Sequence, residues 1–176
     1  SSDSEVLTQV LAAPPEIWGD SGANGSEQVS DLAHEDWWVA RLQAMMRAVE
    51  GAYSLAVLTR HAIYAVRDPF GLRPLCLGEL DGGYAVASES CALQTIGARF
   101  VREVEPGEIL RLDKHGVTSI LAKSSSRRAL CVFEHVYFAR PDTQLEGQVI
   151  HDVRQRCGRQ LAHEAPADAD IVVGVP

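Results

Sequence analysis

An α+β fold with stacked layers is predicted for most of the chain by three observations. Short runs of strand character recur between turn signals from residue 53 to residue 121. Helical periodicity comes in groups and does not alternate with each strand, which argues against a parallel α/β sheet over this stretch. After residue 130 the pattern changes to a helix followed by a continuous apolar run, the way a parallel α/β unit begins.

Taken in chain order, "SDSE" at residues 2–5 is a capping box, with Ser2 as N-cap and Glu5 reaching back, and Val6, Leu7, Val10 and Leu11 follow on one helical face. Residues 14–35 are rich in Pro, Gly, Ser and acid and read as a variable surface loop. Trp38, Leu42, Met45, Met46 and Val49 then fall on one face of a helix closed by Gly51, a stripe that reads as core. "AYSLAVL" and "AIYAV" are strands, and "DPFG" at 68–71 has the residue preferences of a type I turn. "PLCLGEL" and "YAVAS" form a hairpin about "DGG". Ser88 or Ser90 caps a short helix through Leu93 and Ile96 that Gly97 ends. "FVREV", "EILRL" and "VTSIL", broken by Pro106-Gly107 and "DKHG", complete the strands. "AKSSSRR" (122–128) reads as a basic linker. "CVFEHVYFARPD" is an apolar, aromatic run ended by Pro; a helix follows with Val149, Val153, Cys157 and Leu161 at spacings of four, and "ADIVVGV" reads as a buried strand.

The 176 residues are 46% hydrophobic and 23% charged, an ordinary globular balance. No apolar run reaches the ~18–20 residues of a membrane span, and a net charge of -8 argues against a nucleic-acid partner. Cys76, Cys91, Cys131 and Cys157 lie far apart without a C-x-x-C, so no zinc knuckle or redox pair is encoded. The chain opens inside a helix cap and stops in an apolar run just after Asp170, so it reads as an internal piece of a longer protein.

Several side chains invite a functional reading. Ser2 and Glu5 suffice for the cap, which leaves Asp3 either as a helix-dipole residue or as a ligand for a cation. Arg67, Asp68 and Arg73 could form an anion site or simply brace the tight turn against local carboxylates. Glu89 reads as a first-turn helix residue. None of the six histidines has a Cys or Ser partner at a telling spacing, so none is assigned to catalysis.

The stretches "SDSEVL", "GAYSLAVL", "IYAVRDPFGLRPLCLG", "VASESCAL", "REVEPGEI", "FEHVYFARPD" and "DADIVVGVP" together resemble the amidophosphoribosyltransferases, in the same order and across nearly the whole chain. The resemblance implies a four-layer αββα fold of the N-terminal-nucleophile hydrolase type. Residues 1–122 would be the later portion of a glutamine amidotransferase domain, 123–130 a linker, and 131–176 the beginning of an α/β phosphoribosyltransferase domain. It further implies an enzyme that uses glutamine-derived ammonia to turn phosphoribosyl pyrophosphate into 5-phosphoribosylamine at the start of purine synthesis. The other readings are the glutaminase part of a glucosamine-6-phosphate synthase-like amidotransferase, or a non-catalytic α+β interaction domain.

Within the resemblance Asp3 corresponds to the residue that binds the glutamine α-amino group. The family's N-terminal Cys nucleophile, the Arg for the glutamine carboxylate and the Asn-Gly oxyanion hole fall upstream of "SDSE", so no catalytic residue is assigned and the fragment by itself is expected to be inactive. Cys131 corresponds to one of the four thiolates that hold a [4Fe-4S] cluster in some members, and is otherwise a structural thiol. Such a cluster and Mg2+ are expected only in the full-length protein, together with a homo-oligomeric (tetrameric), cytoplasmic state and no membrane or nucleic-acid partner.

Overall fold

The computed structural model describes residues 2–13, 34–123, 125 and 127–174. Most of the loop expected at 14–35 lies outside these residues, and its last two positions, 34 and 35, belong to a helix instead.

Helix α1 (Asp3–Ala12) starts as expected: Ser2 is extended and its side chain accepts from the Glu5 amide at 3.3 Å. Leu7, Val10 and Leu11 pack toward the core, whereas Val6, expected to join them, is 50% exposed because α1 touches its neighbours along a narrow strip. Arg41 on α2 (His34–Ala48) donates to the carbonyls of Leu11 and Ala13, closing the end of α1, and its guanidinium lies over the Trp37 ring. A cation is well placed at the negative end of a helix.

Strands β1 (Ser54–Leu58), β2 (Ala62–Arg67), β6 (Glu108–Asp113) and β7 (Gly116–Leu121) form one antiparallel sheet in the order β1-β2-β6-β7. Strands β3 (Cys76–Leu80), β4 (Gly83–Ala87) and β5 (Arg99–Glu103) form a second, in the order β4-β3-β5. The short helix α3 (Ser90–Thr95) covers the second sheet.

Alternation along the strands assigns side chains to layers. Tyr64, Val66 and Ile109 face α2 and pack with Leu42, Met45 and Met46; Ala65, Leu110 and Leu112 face the other way and meet Leu75, Leu77 and Val104 between the sheets. Cys76 turns outward and packs with Leu93 and Ala98 under α3. The sequence of layers is thus helix, sheet, sheet, helix.

Two glycines make the junctions between sheets possible. Gly71 (φ +65°) closes the "DPFG" turn by donating to the Asp68 carbonyl at 3.0 Å, while the Asp68 carboxylate accepts from the amides of Phe70 and Leu72. Gly107 (φ +78°) donates to the carbonyls of Arg67 and Asp68 and accepts from the amides of Ala122 and Lys123; a Cβ there would lie 1.7 Å from the Lys123 carbonyl oxygen.

The rest of the chain departs from expectation in three places. Ser88 and Ser90 do not cap α3: Glu89 stands at the N-cap without a side-chain bond to the helix amides, and Ser90 Oγ accepts from the Gln144 amide at 2.8 Å. The aromatic run contains a one-turn π-helix, Glu134–Phe138, and is followed by the short pair β8 (Gln144–Leu145) and β9 (Gln148–Val149) and by helix α4 (Ile150–Glu164). The stripe expected on that helix is not a buried face. Val149 belongs to β9 and is 42% exposed, Val153 is half-buried, Cys157 and Leu161 are exposed, and Ile150 is the buried anchor, because only the first two turns of α4 lie against the preceding segment, where Arg154 donates to the carbonyls of His135 and Ala139.

Likewise "ADIVVGV" forms no strand among the described residues. Ile171 is 79% exposed, since a buried parallel strand requires neighbouring strands for its backbone ladder and the described residues supply none there. No helix among the described residues is long and apolar enough to cross a membrane.

Candidate functional site

The start of α1, the entry to β1, the segment after the Gly71 turn, the residues before α3 and the π-helix surround a cleft of about 500 Å³. Asp3, Tyr53, Arg73, Glu89, Glu134 and Phe138 define its chemistry.

Asp3 is the first residue of α1, exposed, and its carboxylate has no hydrogen bond or ion pair among the described residues. The cap is built without it, by the Ser2 hydroxyl on the Glu5 amide. The carboxylate is therefore available to a ligand.

Glu89 is committed elsewhere. It accepts from the Thr143 hydroxyl at 2.7 Å, the Arg140 amide at 2.9 Å and the Cys91 thiol at 3.6 Å. Partial burial opposes its charge, yet these donors outweigh burial and hold its carboxyl below the ordinary carboxylate range. It clamps the 140–143 turn to the body of the fold and is not a free acid.

Glu134 is 3% exposed. Its Oε1 is the oxygen ion-paired with Arg73, at 3.0 Å, a contact of charge and not a well-directed hydrogen bond. Burial raises its pKa; Arg73 and His135 oppose the rise and Glu89 adds to it. The Arg73 guanidinium also lies 4.8 Å from the centre of the Phe138 ring. The Tyr53 hydroxyl is buried with no hydrogen-bond partner among the described residues, and burial, then the nearby Asp68 charge, push the phenol up to about 12.

Arg67 and Asp68 are used up by the turn. Arg67 donates to the carbonyls of Arg73 (2.9 Å), Val104 (2.7 Å) and Gly71 (3.2 Å) and pairs with Glu103 at 3.4 Å. This is the bracing role, carried mainly by carbonyls and less by carboxylates. Arg73, by contrast, is presented to the cleft. Cys131 is half-buried, and its amide donates to the Leu72 carbonyl at 3.1 Å. No group of three or more His, Cys, Asp or Glu side chains among the described residues is disposed to hold a metal ion. Cys131 thus offers one thiolate where a [4Fe-4S] cluster takes four, and the described residues alone do not fit such a cluster.

The sequence reading found Asp3 but missed Glu134 and Tyr53 as parts of the same cleft. A signal for Glu134 was available: a lone acid inside "CVFEHVYF" has to be satisfied or functional if the run is buried. Tyr53 carried none, because an aromatic residue opening a strand is ordinary core.

Two antiparallel sheets stacked between helix layers, with a substrate-sized cleft at their edge, define the N-terminal-nucleophile hydrolase class of α+β domain. Residues 1–95 match the family described as "Glutamine amidotransferase domain". The chain belongs to the glutamine amidotransferase family.

Its similarity extends beyond that domain. It is 44% identical to the amidophosphoribosyltransferase of Rattus norvegicus over 195 residues, covering 100% of this chain and 35% of the relative. The human amidophosphoribosyltransferase is 45% identical with the same coverage, and that of Mycobacterium tuberculosis (strain ATCC 25618 / H37Rv) is 48% identical over 132 residues, covering 75% of this chain and 25% of the relative. Among solved structures, glutamine phosphoribosylpyrophosphate amidotransferase from B. subtilis complexed with ADP and GMP superposes with a TM-score of 0.82 at 34% identity, covering all of this chain and 34% of that one. The chain spans about a third of the length of these relatives.

Proposed function

We propose that this chain is part of an amidophosphoribosyltransferase and that its cleft binds glutamine through Asp3. In this reading glutamine is hydrolysed to glutamate and ammonia, and the ammonia displaces pyrophosphate from phosphoribosyl pyrophosphate to give 5-phosphoribosylamine, the opening step of purine synthesis. The observation that carries the reading is the unspent Asp3 carboxylate, left over by a helix cap already complete and placed on the wall of the cleft. A charge-assisted contact to an ammonium contributes roughly 1.5–3 kcal/mol when water is excluded.

The division of labour along the chain follows. Residues 1–122 form the later portion of the glutaminase domain, 123–130 connect, and 131–176 begin the phosphoribosyltransferase domain. The connection is held against the first domain: Lys123 Nζ donates to the Met46 carbonyl at 3.0 Å and the Ala129 amide to the Phe70 carbonyl at 2.9 Å. In the complete protein Cys131 would be one of four thiolates holding a [4Fe-4S] cluster, Mg2+ would accompany the pyrophosphate substrate, and the enzyme would work as a cytoplasmic homo-oligomer.

The test is Asp3→Asn in the complete protein. Asn still suits a helix start, so stability should change by about 1 kcal/mol or less. Glutamine-dependent kcat/KM should fall roughly ten- to a thousand-fold, whereas the rate with free ammonia should stay within about threefold of the parent. Equal loss of both activities, or of neither, would make Asp3 a structural residue.

A further inference from the structure

The one-turn π-helix Glu134–Phe138 is held in place from several sides. From the cleft, the Arg73 guanidinium pairs with Glu134 at 3.0 Å and lies 4.8 Å from the centre of the Phe138 ring. The turn is closed by the Ala139 amide on the Glu134 carbonyl at 3.1 Å. The next amide, that of Arg140, goes to the Glu89 carboxylate at 2.9 Å, and the next carbonyl, that of His135, goes to Arg154 on α4 at 2.7 Å. Arg154 also donates to the Ala139 carbonyl at 2.7 Å. Two side chains from outside the turn thus stop it after a single bond and fix its end. Such wide turns are uncommon and recur at functional sites.

What the turn presents differs between its ends. Glu134 is buried, whereas Phe138 is 51% exposed and stands on the wall of the cleft that holds Asp3. Phe138 is the most exposed large apolar side chain of that wall. The charged groups around it are engaged with one another or with the segment after the linker, as Arg73 is with Glu134 and Glu89 with Arg140 and Thr143. An uncovered aromatic ring in a cleft is apolar area that a ligand can take out of water. Glutamine brings the matching surface, the methylene stem between its α-carbon and its amide.

We propose that Phe138 packs against the methylene stem of the bound glutamine, and that Arg154, which lies outside the cleft, is a positioning residue for glutamine through the π-helical turn. The proposal rests on the glutamine reading above and deepens it. The segment after the linker then supplies part of the glutamine site, which residues 1–122 do not complete by themselves.

The experiment measures KM and kcat for glutamine in the complete protein. Phe138→Ala should raise KM roughly three- to tenfold with kcat within about threefold, and Phe138→Leu, which keeps an apolar side chain, should return KM to within about twofold of the parent. Arg154→Met removes the donor to both carbonyls and should raise KM by a similar factor, roughly three- to tenfold. If Arg154 acts through Phe138, the two changes combined should be no worse than Phe138→Ala alone. Gly82→Ala, a loss of stability away from the cleft, should leave KM as it is. An unchanged KM in Phe138→Ala, rises that multiply in the double variant, or an equal rise in Gly82→Ala would each overturn the proposal. Phe138 is half-exposed, so its truncation decides the matter should Arg154→Met not fold. Loss of glutamine use in Asp3→Asn with Phe138→Ala unaffected would leave the glutamine reading standing and remove this one. An unaffected Asp3→Asn would remove the reading itself.

Discussion

Arg73 and Glu134 meet at 3.0 Å across the seam between the segment that follows the Gly71 turn and the π-helix, with the carboxylate buried and the guanidinium part-exposed. Removing one partner of such a pair strands the other, whereas removing both does not. Arg73→Met should therefore destabilise the complete protein by about 1–2 kcal/mol, a value reduced for the exposure of Arg73. Arg73→Met combined with Glu134→Leu should recover most of that loss. Urea denaturation of the four-member cycle measures the coupling, and additive losses would show that the pair contributes nothing.

Glu108 should set part of the acid limit of stability. It is buried on β6 and receives Arg102 through both oxygens at 2.7 and 2.8 Å, the Glu105 amide at 2.7 Å and the Ser119 hydroxyl. Burial works against its charge, yet these donors prevail and its pKa is lowered from 4.5. A lowered carboxylate pKa contributes stability that is fully present above the unfolded value and is lost as pH falls through the folded one. Glu108→Gln should thus be less stable than the parent at pH 7, and the difference should narrow as the pH drops below 4.5. Thermal denaturation from pH 7 to pH 3 checks the slope; a constant difference would refute the assignment.

Gly107→Ala should be among the most damaging single substitutions in the sheets. Its φ of +78° disfavours any side chain, and the added methyl would collide with the Lys123 carbonyl, so a loss of roughly 3 kcal/mol or more is expected. Gly82→Ala, also at positive φ but with open space around it, should cost only about 1 kcal/mol. Comparing the two melting temperatures separates strain from collision.

Glu89→Ala should loosen the 140–143 turn. The carboxylate satisfies the Arg140 amide and the Thr143 hydroxyl, and Thr143 is 1% exposed. The loss should be about 2 kcal/mol, with faster proteolytic cleavage between residues 139 and 147. Unchanged cleavage would mean that the β8-β9 pair holds the turn by itself.

The layers were legible because their pattern is local. Leu42, Met45 and Met46 recur at helical spacing, and Tyr64 and Val66 alternate with Ala65 along one strand, so each face could be read before its partner was known. What depends on distant neighbours was not. Whether "DIVVGV" becomes a strand is decided by other strands and not by its own β propensity, and Ser90 was diverted from capping by the Gln144 amide, 54 residues on. In the site, Asp3 stood out because local capping chemistry left it over. Glu134 could be noticed as a lone acid in an apolar run, whereas Tyr53 stands out only once the chain is folded, because its buried hydroxyl has no hydrogen-bond partner among the described residues.

The strand order also dictates a timetable. Strand β2 pairs with β6, yet residues 68–107, which contain the whole of the second sheet, lie between them. The first sheet cannot close until that excursion has returned, and its point of return is the bond from the Gly107 amide to the carbonyls of Arg67 and Asp68. The chain entropy of drawing those ends together is lost before the β2–β6 ladder repays it. The hairpins β1-β2, β3-β4 and β6-β7 are local pairings, whereas the β2–β6 ladder is the one whose closure spans the longest stretch of chain and so costs the most chain entropy.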